Sequence, residues 1–452
     1  MGFKVGVCGL NFGKHFAQLF DAHPFCDEVV LCDLREHKIR EAAEECGVRG
    51  RTCRSFDELL ESDVDAVAVF TQRWTHAPLA ARALRAGKHV YSAVPAAVTL
   101  EELDELVRTV ERTGLTYMLG ETSYYRPQTI WCRRKFAAGD FGEFVYGEGQ
   151  YCHNLAHWFY MGFYDSNGPE WRRFASVPPM WYPTHSISHV LGVTFNRFTK
   201  ASCFGRVDRH EDGIFDPELS EWGNPWSNQS ALFQTADGGM ARINEFRRTA
   251  AGESRQSIIG TLGAYEEQCN PRCPDVNVRK QMHGPEARET AQSRAVWTEI
   301  RWKQDPHRPD GGYDYENAQR YIYIHKMDVT PMHRLDGVDI TDENLGDLPG
   351  DYLGRRHLDV STVHPVERLP KEFVGLPNGH CGSHQFLVHD FIEAVATGKL
   401  PPNHVWLAAR YNAPGIVAHE SCKREGELMD IPDFGKPPAD AVLIDPLAVL
   451  RD

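Results

Sequence analysis

The chain reads as a two-domain α/β protein: an N-terminal domain on a parallel sheet, then a second α/β domain on a mostly antiparallel one. Two observations predict this. Residues 3–122 alternate short apolar runs with segments of helical period, the mark of strand–helix units whose parallel strands are covered on both faces. From about residue 125 the texture changes to alternating, β-forming runs broken by turn residues. The length of 452 residues suits two or three domains, and 42% hydrophobic against 25% charged residues gives ample core.

The elements follow in order. An apolar run at 4–10 leads into Phe12, Phe16, Leu19 and Phe20 at helical spacing. Val29, Val30, Leu31 and Cys32 form a second buried strand ended by Asp33, and 64–70 forms a third. A helix opens at Thr75-His76-Ala77-Pro78 and stops at Gly87, and 89–91 is strand. Thr99 with Glu102 makes a capping box before Leu103, Leu106, Val107 and Val110, and Gly114 ends that helix. Residues 116–119 are strand again. This closes a dinucleotide-type domain at 1–122, with the second domain at 123–452. There 144–151, 230–235, 240–246 and 257–261 read as strands, with Asp237-Gly238-Gly239 as a hairpin turn. Residues 266–375, rich in Pro, Arg, Asp and His, read as long loops ordered by Trp297, Trp302 and several tyrosines, before helices at 384–398 and 403–425.

Composition excludes some functions. Lys and Arg total 49 against 63 Asp and Glu, a net charge of −14. A diffuse acidic surface repels phosphate backbones and anionic membranes, so nucleic acid and membrane are not expected partners. No run of 18 apolar residues occurs, and the first residues lack the apolar stretch of a secretory signal. Twelve cysteines are scattered from Cys8 to Cys422 without a C-x-x-C pair. Cys269 and Cys273 read as two thiols of a polar loop, not a zinc site, and no metal is expected. A reduced, cytoplasmic protein is expected.

The first strand runs into Gly9-Leu-Asn11-Phe12-Gly13 and a helix. Such a turn lets backbone approach a pyrophosphate at a helix N-terminus. Asp33, 20 residues beyond Gly13 at the end of the second strand, is placed to accept from ribose hydroxyls and to repel a 2′-phosphate. That favours NAD, with Arg35 keeping NADP as a minority option. Asn11 stands where the fingerprint usually has its second glycine. Without the surrounding strand, helix and acid, the turn would be an ordinary glycine turn.

Together, Gly9, Gly13, Asp33, the run Asp65 to Thr71, His76 and Ala86-Gly87-Lys88-His89-Val90 resemble the glucose–fructose oxidoreductase and inositol dehydrogenase (Gfo/Idh/MocA) family, as do 389–398 and Met429-Asp-Ile-Pro432. The resemblance covers most of the chain. It implies a Rossmann domain, a second domain with an open, mostly antiparallel sheet, NAD or NADP between them, and a sugar or polyol substrate. The family's dehydrogenases carry a catalytic lysine in Glu-Lys-Pro, where this chain has Ala93-Val94-Pro95. Val94-Pro95-Ala96-Ala97 is instead similar to the family's NAD-dependent glycosidases of the α-N-acetylgalactosaminidase type. So are Tyr151-Cys152-His153, Tyr182-Pro183-Thr184-His185, Glu121 and Gly379-His380. Ala93 departs from both groups.

The resemblance implies catalytic roles for Tyr151, His153, Tyr182, His185 and Glu121. It implies cofactor contacts from Gly9, Asn11, Phe12, Gly13, Asp33, Thr71, His76, Val94 and Pro95, and substrate contacts from His380 and Trp181. Bland alternatives stand beside these. Tyr151 and His153, two apart on a strand, face one side and would otherwise be packing. Tyr182 and His185 would be a buried Tyr and a capping His. Glu121 would pair with Arg126. Thr71 and His76 would cap a helix. Trp158, Trp171 and Trp181 would be core as readily as sugar platforms. His380 and His384 would be a solvated or substrate-contacting pair. The expected function is an NAD-dependent enzyme on a sugar or glycoside, acting by oxidation at carbon 3 and elimination without net redox change. The alternatives are a net sugar or polyol dehydrogenase and a non-catalytic dinucleotide-binding protein. A homo-oligomer through the open sheet face is expected.

Overall fold

The computed structural model describes residues 2–153, 158–249, 254–268, 294–301, 321–328, 334–335, 338–339, 357–360 and 363–444. The first domain winds as β1 (Phe3–Cys8), α1 (Leu10–Ala22), β2 (Cys26–Cys32), α2 (Glu36–Cys46), β3 (Thr52–Cys53), α3 (Phe56–Glu61), β4 (Ala66–Val69), α4 (His76–Arg85), β5 (His89–Ser92), α5 (Leu100–Thr113) and β6 (Tyr117–Leu119). Its six strands are all parallel, in the order β3-β2-β1-β4-β5-β6. The order reverses between β1 and β4, which opens a crevice at their carboxyl ends. The predicted strands are present, and the two-residue β3 joins them, too short to leave a period in the sequence. The capping box on α5 has both arms, Glu102 N–H to Thr99 and Thr99 N–H to Glu102, and Gly114 ends the helix at φ 66°.

The second domain runs through α6 (Pro127–Ala137), β7 (Phe144–Cys152), α7 (Trp158–Asn167), α8 (Trp171–Ala175) and α9 (Thr184–Thr194). Strands β8 (Phe198–Val207), β9 (Trp226–Thr235), β10 (Met240–Phe246), β11 (Ser254–Gly260) and β12 (Gly263–Gln268) come next. With β13 (Arg294–Arg301), β14 (Tyr321–Asp328) and β17 (Met429–Asp430), the nine-stranded sheet has the order β14-β13-β12-β11-β7-β10-β9-β8-β17, antiparallel throughout except for the β7–β10 pair. Gly238, at φ 92°, makes the predicted β9–β10 turn.

One expectation needs correction. The stretch 266–375 is not a set of loops alone: β13 (Arg294–Arg301) and β14 (Tyr321–Asp328) extend the sheet, and β15 (Arg334–Leu335) pairs with β16 (Val338–Asp339). Both long strands carry β-forming residues, Trp297 and Tyr321 to Ile324 among them, but interspersed charges and Pro-rich flanks blur their alternation. Trp302, Cys269 and Cys273 lie outside the described residues.

The C-terminal helices α10 (Gly379–Thr397) and α11 (Val405–Lys423) lie close to their predicted spans, and β17 (Met429–Asp430) follows on β8. They join the domains. Phe391 of α10 meets Phe20 and Tyr91 of the first domain at ring distances of 6.2 and 5.7 Å. Asn412 of α11 accepts from Ala96 N–H at 3.0 Å, fixing the loop after β5. One hydrophobic core therefore runs through both domains. A satellite cluster of Phe163, Ala175, Val177, Ile214 and Phe215 packs with Trp74, Trp171, Phe174, Trp181 and Trp222. Among the described residues no helix is long and apolar enough to cross a membrane.

Candidate active site

A cavity of about 490 Å³ opens at the crevice between β1 and β4 and extends under the second domain. Its first half is the glycine turn. Gly9 heads α1 at φ 91°, where a Cβ would lie 2.5 Å from the Phe70 carbonyl oxygen, so only glycine fits. Asn11 and Phe12 line the cavity from the first turn of α1. Gly13 is not on the wall: it is buried against the Phe70 ring and lets α1 sit close to the sheet. The exposed Asn11 does not fill the cradle, so the turn fits a pyrophosphate despite its missing glycine.

Asp33 lines the same half. Its carboxylate accepts from Leu10 N–H at 2.9 Å, and from Arg35 N–H and Nε–H at 2.9 and 3.1 Å. Arg35 also donates to Asp165 of α7 at 2.8 Å. Its guanidinium is thus engaged by two carboxylates and has less to offer a 2′-phosphate. Sequence spacing found Asp33 but not this clamp, which depends on α7, 130 residues away.

His76 bridges two loops. Its Nδ1 lies 2.8 Å from the Pro95 carbonyl and its Nε2 3.0 Å from the Thr71 carbonyl, and burial lowers its pKa to about 4. The neutral ring has one N–H, so it donates to one of these carbonyls while packing between the loop after β4 and the loop after β5. Thr71 and Val94 lie on the wall; Pro95 does not.

The far half collects Tyr151, His153, Tyr182, His185 and His380. Tyr151 lies on β7 and His153 follows the strand's last residue, their rings 5.6 Å apart. A turn at Pro179–Trp181 sets Tyr182, and His185 stands in the first turn of α9. The His185 ring lies 4.8 Å from that of Tyr151 and 5.2 Å from that of Tyr182. Glu121 is fully buried and absent from the wall; it stands behind His185, with Oε1 2.6 Å from Nδ1. Burial pushes Glu121 up, but His185, the Thr184 hydroxyl and the Ser123 N–H outweigh it and hold the carboxyl below its ordinary value. An ionised carboxylate only accepts, so Nδ1 of His185 carries a proton and Nε2 is the nitrogen left for a ligand. Glu121 therefore positions His185.

His380 reaches the wall through strained backbone: His380, Cys381 and Gly382 have φ of 53°, 56° and 83°. Its Nδ1 lies 2.7 Å from Nε2 of His384. His384 is buried while His380 is exposed at the cavity, and desolvation lowers both pKa values, His380 to about 4. No cluster of three metal-ligating side chains occurs among the described residues. Trp181 is off the wall, packed on Trp222 and His419 at ring distances of 5.8 and 5.5 Å. Trp171 belongs to the same satellite cluster, and the Trp158 side chain lies outside the described residues. Missed by sequence reading were Arg73, on the wall straight after β4, and Phe163 of α7. Only the position of Arg73 at the carboxyl end of a central strand signalled it.

A parallel sheet of this order, a glycine-headed first helix, an acid ending β2 and a His–Tyr cluster across the crevice define a dinucleotide-binding enzyme with a separate substrate domain. Residues 3–121 match the family model described as oxidoreductase family, NAD-binding Rossmann fold (GFO_IDH_MocA). Over 457 aligned residues the chain is 26% identical to a glycosyl hydrolase family 109 protein of Streptomyces niveus, covering 95% of this chain and 77% of that protein. A glycosyl hydrolase family 109 protein of Shewanella sp. (strain ANA-3) is 31% identical over 289 residues, 58% of this chain and 61% of that one. In fold the chain is similar to scyllo-inositol dehydrogenase from Lactobacillus casei, solved with NAD(H) and scyllo-inositol: TM-score 0.59, 15% identity, 95% of this chain and 99% of that one.

Asp33→Ala should weaken NAD binding by at least about tenfold, the value of a charge-assisted hydrogen bond, and narrow the preference over NADP. Fluorescence titration of both cofactors checks this, and equal affinities in the unaltered protein would assign the pocket to Arg35 instead.

Proposed function

We propose that this protein is an NAD-dependent enzyme acting on a sugar or glycoside, and that its net reaction is redox-neutral cleavage of a glycosidic bond. The buried Glu121–His185 contact carries the reading, because it fixes a histidine with a free ring nitrogen on a cavity wall shared with two tyrosines. Gly9, Asn11, Phe12, Asp33, Thr71 and Val94 would hold the dinucleotide. When bound, NAD supplies reversible removal of a hydride from carbon 3 of the sugar. Tyr151 or His153 takes the hydroxyl proton at the start, since Val94 has no group to accept it. Next to the resulting ketone, His185 Nε2 takes the acidified proton from carbon 2. Burial raises the Tyr182 pKa, against Arg73 and Arg247, so its phenol stays protonated at neutral pH and donates to the departing glycosidic oxygen. Water then adds at carbon 1, carbon 2 regains a proton, and return of the hydride to carbon 3 restores the alcohol, so the cycle closes without net redox change. The names of the Streptomyces and Shewanella relatives support cleavage. The inositol dehydrogenase fold supports the second reading, a net dehydrogenase.

His185→Ala, Tyr182→Phe and Glu121→Gln should each lower turnover by roughly 10²–10⁴ while NAD affinity holds. For Glu121→Gln the cause is loss of the carboxylate that keeps the proton on Nδ1. Losses of only a few-fold in steady-state assays would return these residues to packing roles.

Turnover of an aryl glycoside panel in heavy water with catalytic NAD decides between the two readings. Cleavage by elimination places deuterium at carbon 2 of the released sugar without accumulating NADH. NADH rising in step with product would make the enzyme a dehydrogenase that works without the lysine.

The outer face of the nine-stranded sheet exposes Phe204, Leu232 and Met240, and we infer that a second copy covers it. Sedimentation should show an oligomer that Leu232→Glu weakens; an unaltered protein that sediments as a monomer removes the inference.

A further inference from the structure

The corner beyond β2 carries more positive charge than its own acid needs. Arg35 stands at the head of α2 and Lys38 in its first turn, both just after Asp33. Arg35 keeps Nε on one Asp33 oxygen at 3.1 Å, and its Nη2 reaches the other at 3.4 Å. The cavity wall here is Asp33, Leu34 and Arg35. A ribose whose hydroxyls met Asp33 would bring its 2′ position beside these cations. Taken alone, the first domain could serve a 2′-phosphate there, since guanidinium and ammonium groups both receive phosphate.

The second domain closes that option. Asp165 of α7 lays its carboxylate on both cations, with Oδ2 2.8 Å from Arg35 Nη1 and 3.4 Å from Lys38 Nζ. Its main-chain carbonyl also accepts from Arg35 Nη1, at 3.0 Å. Gly162, Phe163 and Ser166 of the same helix line the cavity, so the element that carries Asp165 is part of the wall. Glu41 adds a further carboxylate on Lys38 at 3.0 Å, while Glu36 faces Arg40 and Arg54 instead. Burial works against the charge on Arg35 and Lys38, yet Asp33 and Asp165 hold the first above its ordinary value, and Glu41 and Asp165 hold the second. Two cations thus already answer three carboxylates, Asp33, Asp165 and Glu41.

We propose that Asp165 is a specificity-determining residue for the cofactor: from the second domain it occupies Arg35 and Lys38, which a 2′-phosphate would need, and sets its own charge against that phosphate. The proposal rests on the dinucleotide reading of the cavity. Asp33 discriminates by what it offers the ribose, and Asp165 by what it withholds from the phosphate.

Fluorescence titration of the full chain with NAD and with NADP tests this. Asp165→Asn removes the charge while the main-chain carbonyl still ties α7 to Arg35. NADP should then gain about tenfold or more in affinity, the value of a hydrogen bond to a charged group. NAD affinity, measured on the same sample, should hold within a few-fold and report an intact fold. In Asp165→Asn/Lys38→Met the gain should shrink, because one receiving cation is gone. In the unaltered protein added salt should narrow the gap between the two cofactors, since charges this close to solvent are screened. An NADP affinity unmoved in Asp165→Asn, or a gain that Lys38→Met leaves whole, would overturn the proposal and leave the dinucleotide reading standing. A gap that salt leaves unmoved would overturn it as well, without recourse to any variant. Unaltered protein that binds neither dinucleotide would overturn both.

Discussion

A carboxylate with no exposed surface is held ionised only where hydrogen-bond donors compensate for lost hydration, and Glu121 meets that condition through His185 Nδ1–H and Ser123 N–H. The rest of the site hangs on this contact. Glu121 lies two residues past the last strand of the parallel sheet and His185 is in the first turn of a helix of the second domain, so the pair links the two domains at the cavity. It sets which ring nitrogen is protonated. It also fixes the ring against which Tyr151 and Tyr182 pack, one from the β7 strand and one from a proline turn. Strain elsewhere fits the same logic, since the left-handed turn at His380 to Gly382 brings another imidazole to this end.

Charge is distributed along the cavity in a way that separates two tasks. At one end an acid faces the glycine turn and is itself clamped by Arg35, with Asp165 closing over it from α7. At the other end guanidinium and imidazole groups surround two phenols. Val94 lies between, where an ammonium group would be expected in a dehydrogenase of this family. An apolar side chain there can take no proton, so on the proposed reading proton transfer falls to groups of the second domain.

The N-terminal domain was legible because local rules and tertiary demands agree there. Buried parallel strands must be apolar, α5 must be capped, and Gly9 must be glycine, so composition alone writes the strand–helix alternation and the crevice it opens. Position in that alternation also marked Asp33, and the resemblance of Tyr182-Pro183-Thr184-His185 to a family motif marked Tyr182 and His185. Strands β13 and β14 were hidden because charges interrupt their alternation.

What only the tertiary structure decided is which of these groups meet. Glu121 and His185 are 64 residues apart, and whether the acid pairs with Arg126 or with the imidazole depends on how α9 docks on the sheet. Trp181 and Gly13 carry the right residue types for ligand contact, yet packing turns one into the satellite cluster and the other under Phe70. Arg73 carried only a positional signal in sequence, because a lone arginine after a strand has no period and no motif. Its character comes from Tyr182 and Arg247, which arrive from segments more than 100 residues away. Sequence fixes local conformation through short-range sterics and burial, whereas electrostatic roles arise from long-range neighbours that only the folded chain brings within a few ångströms.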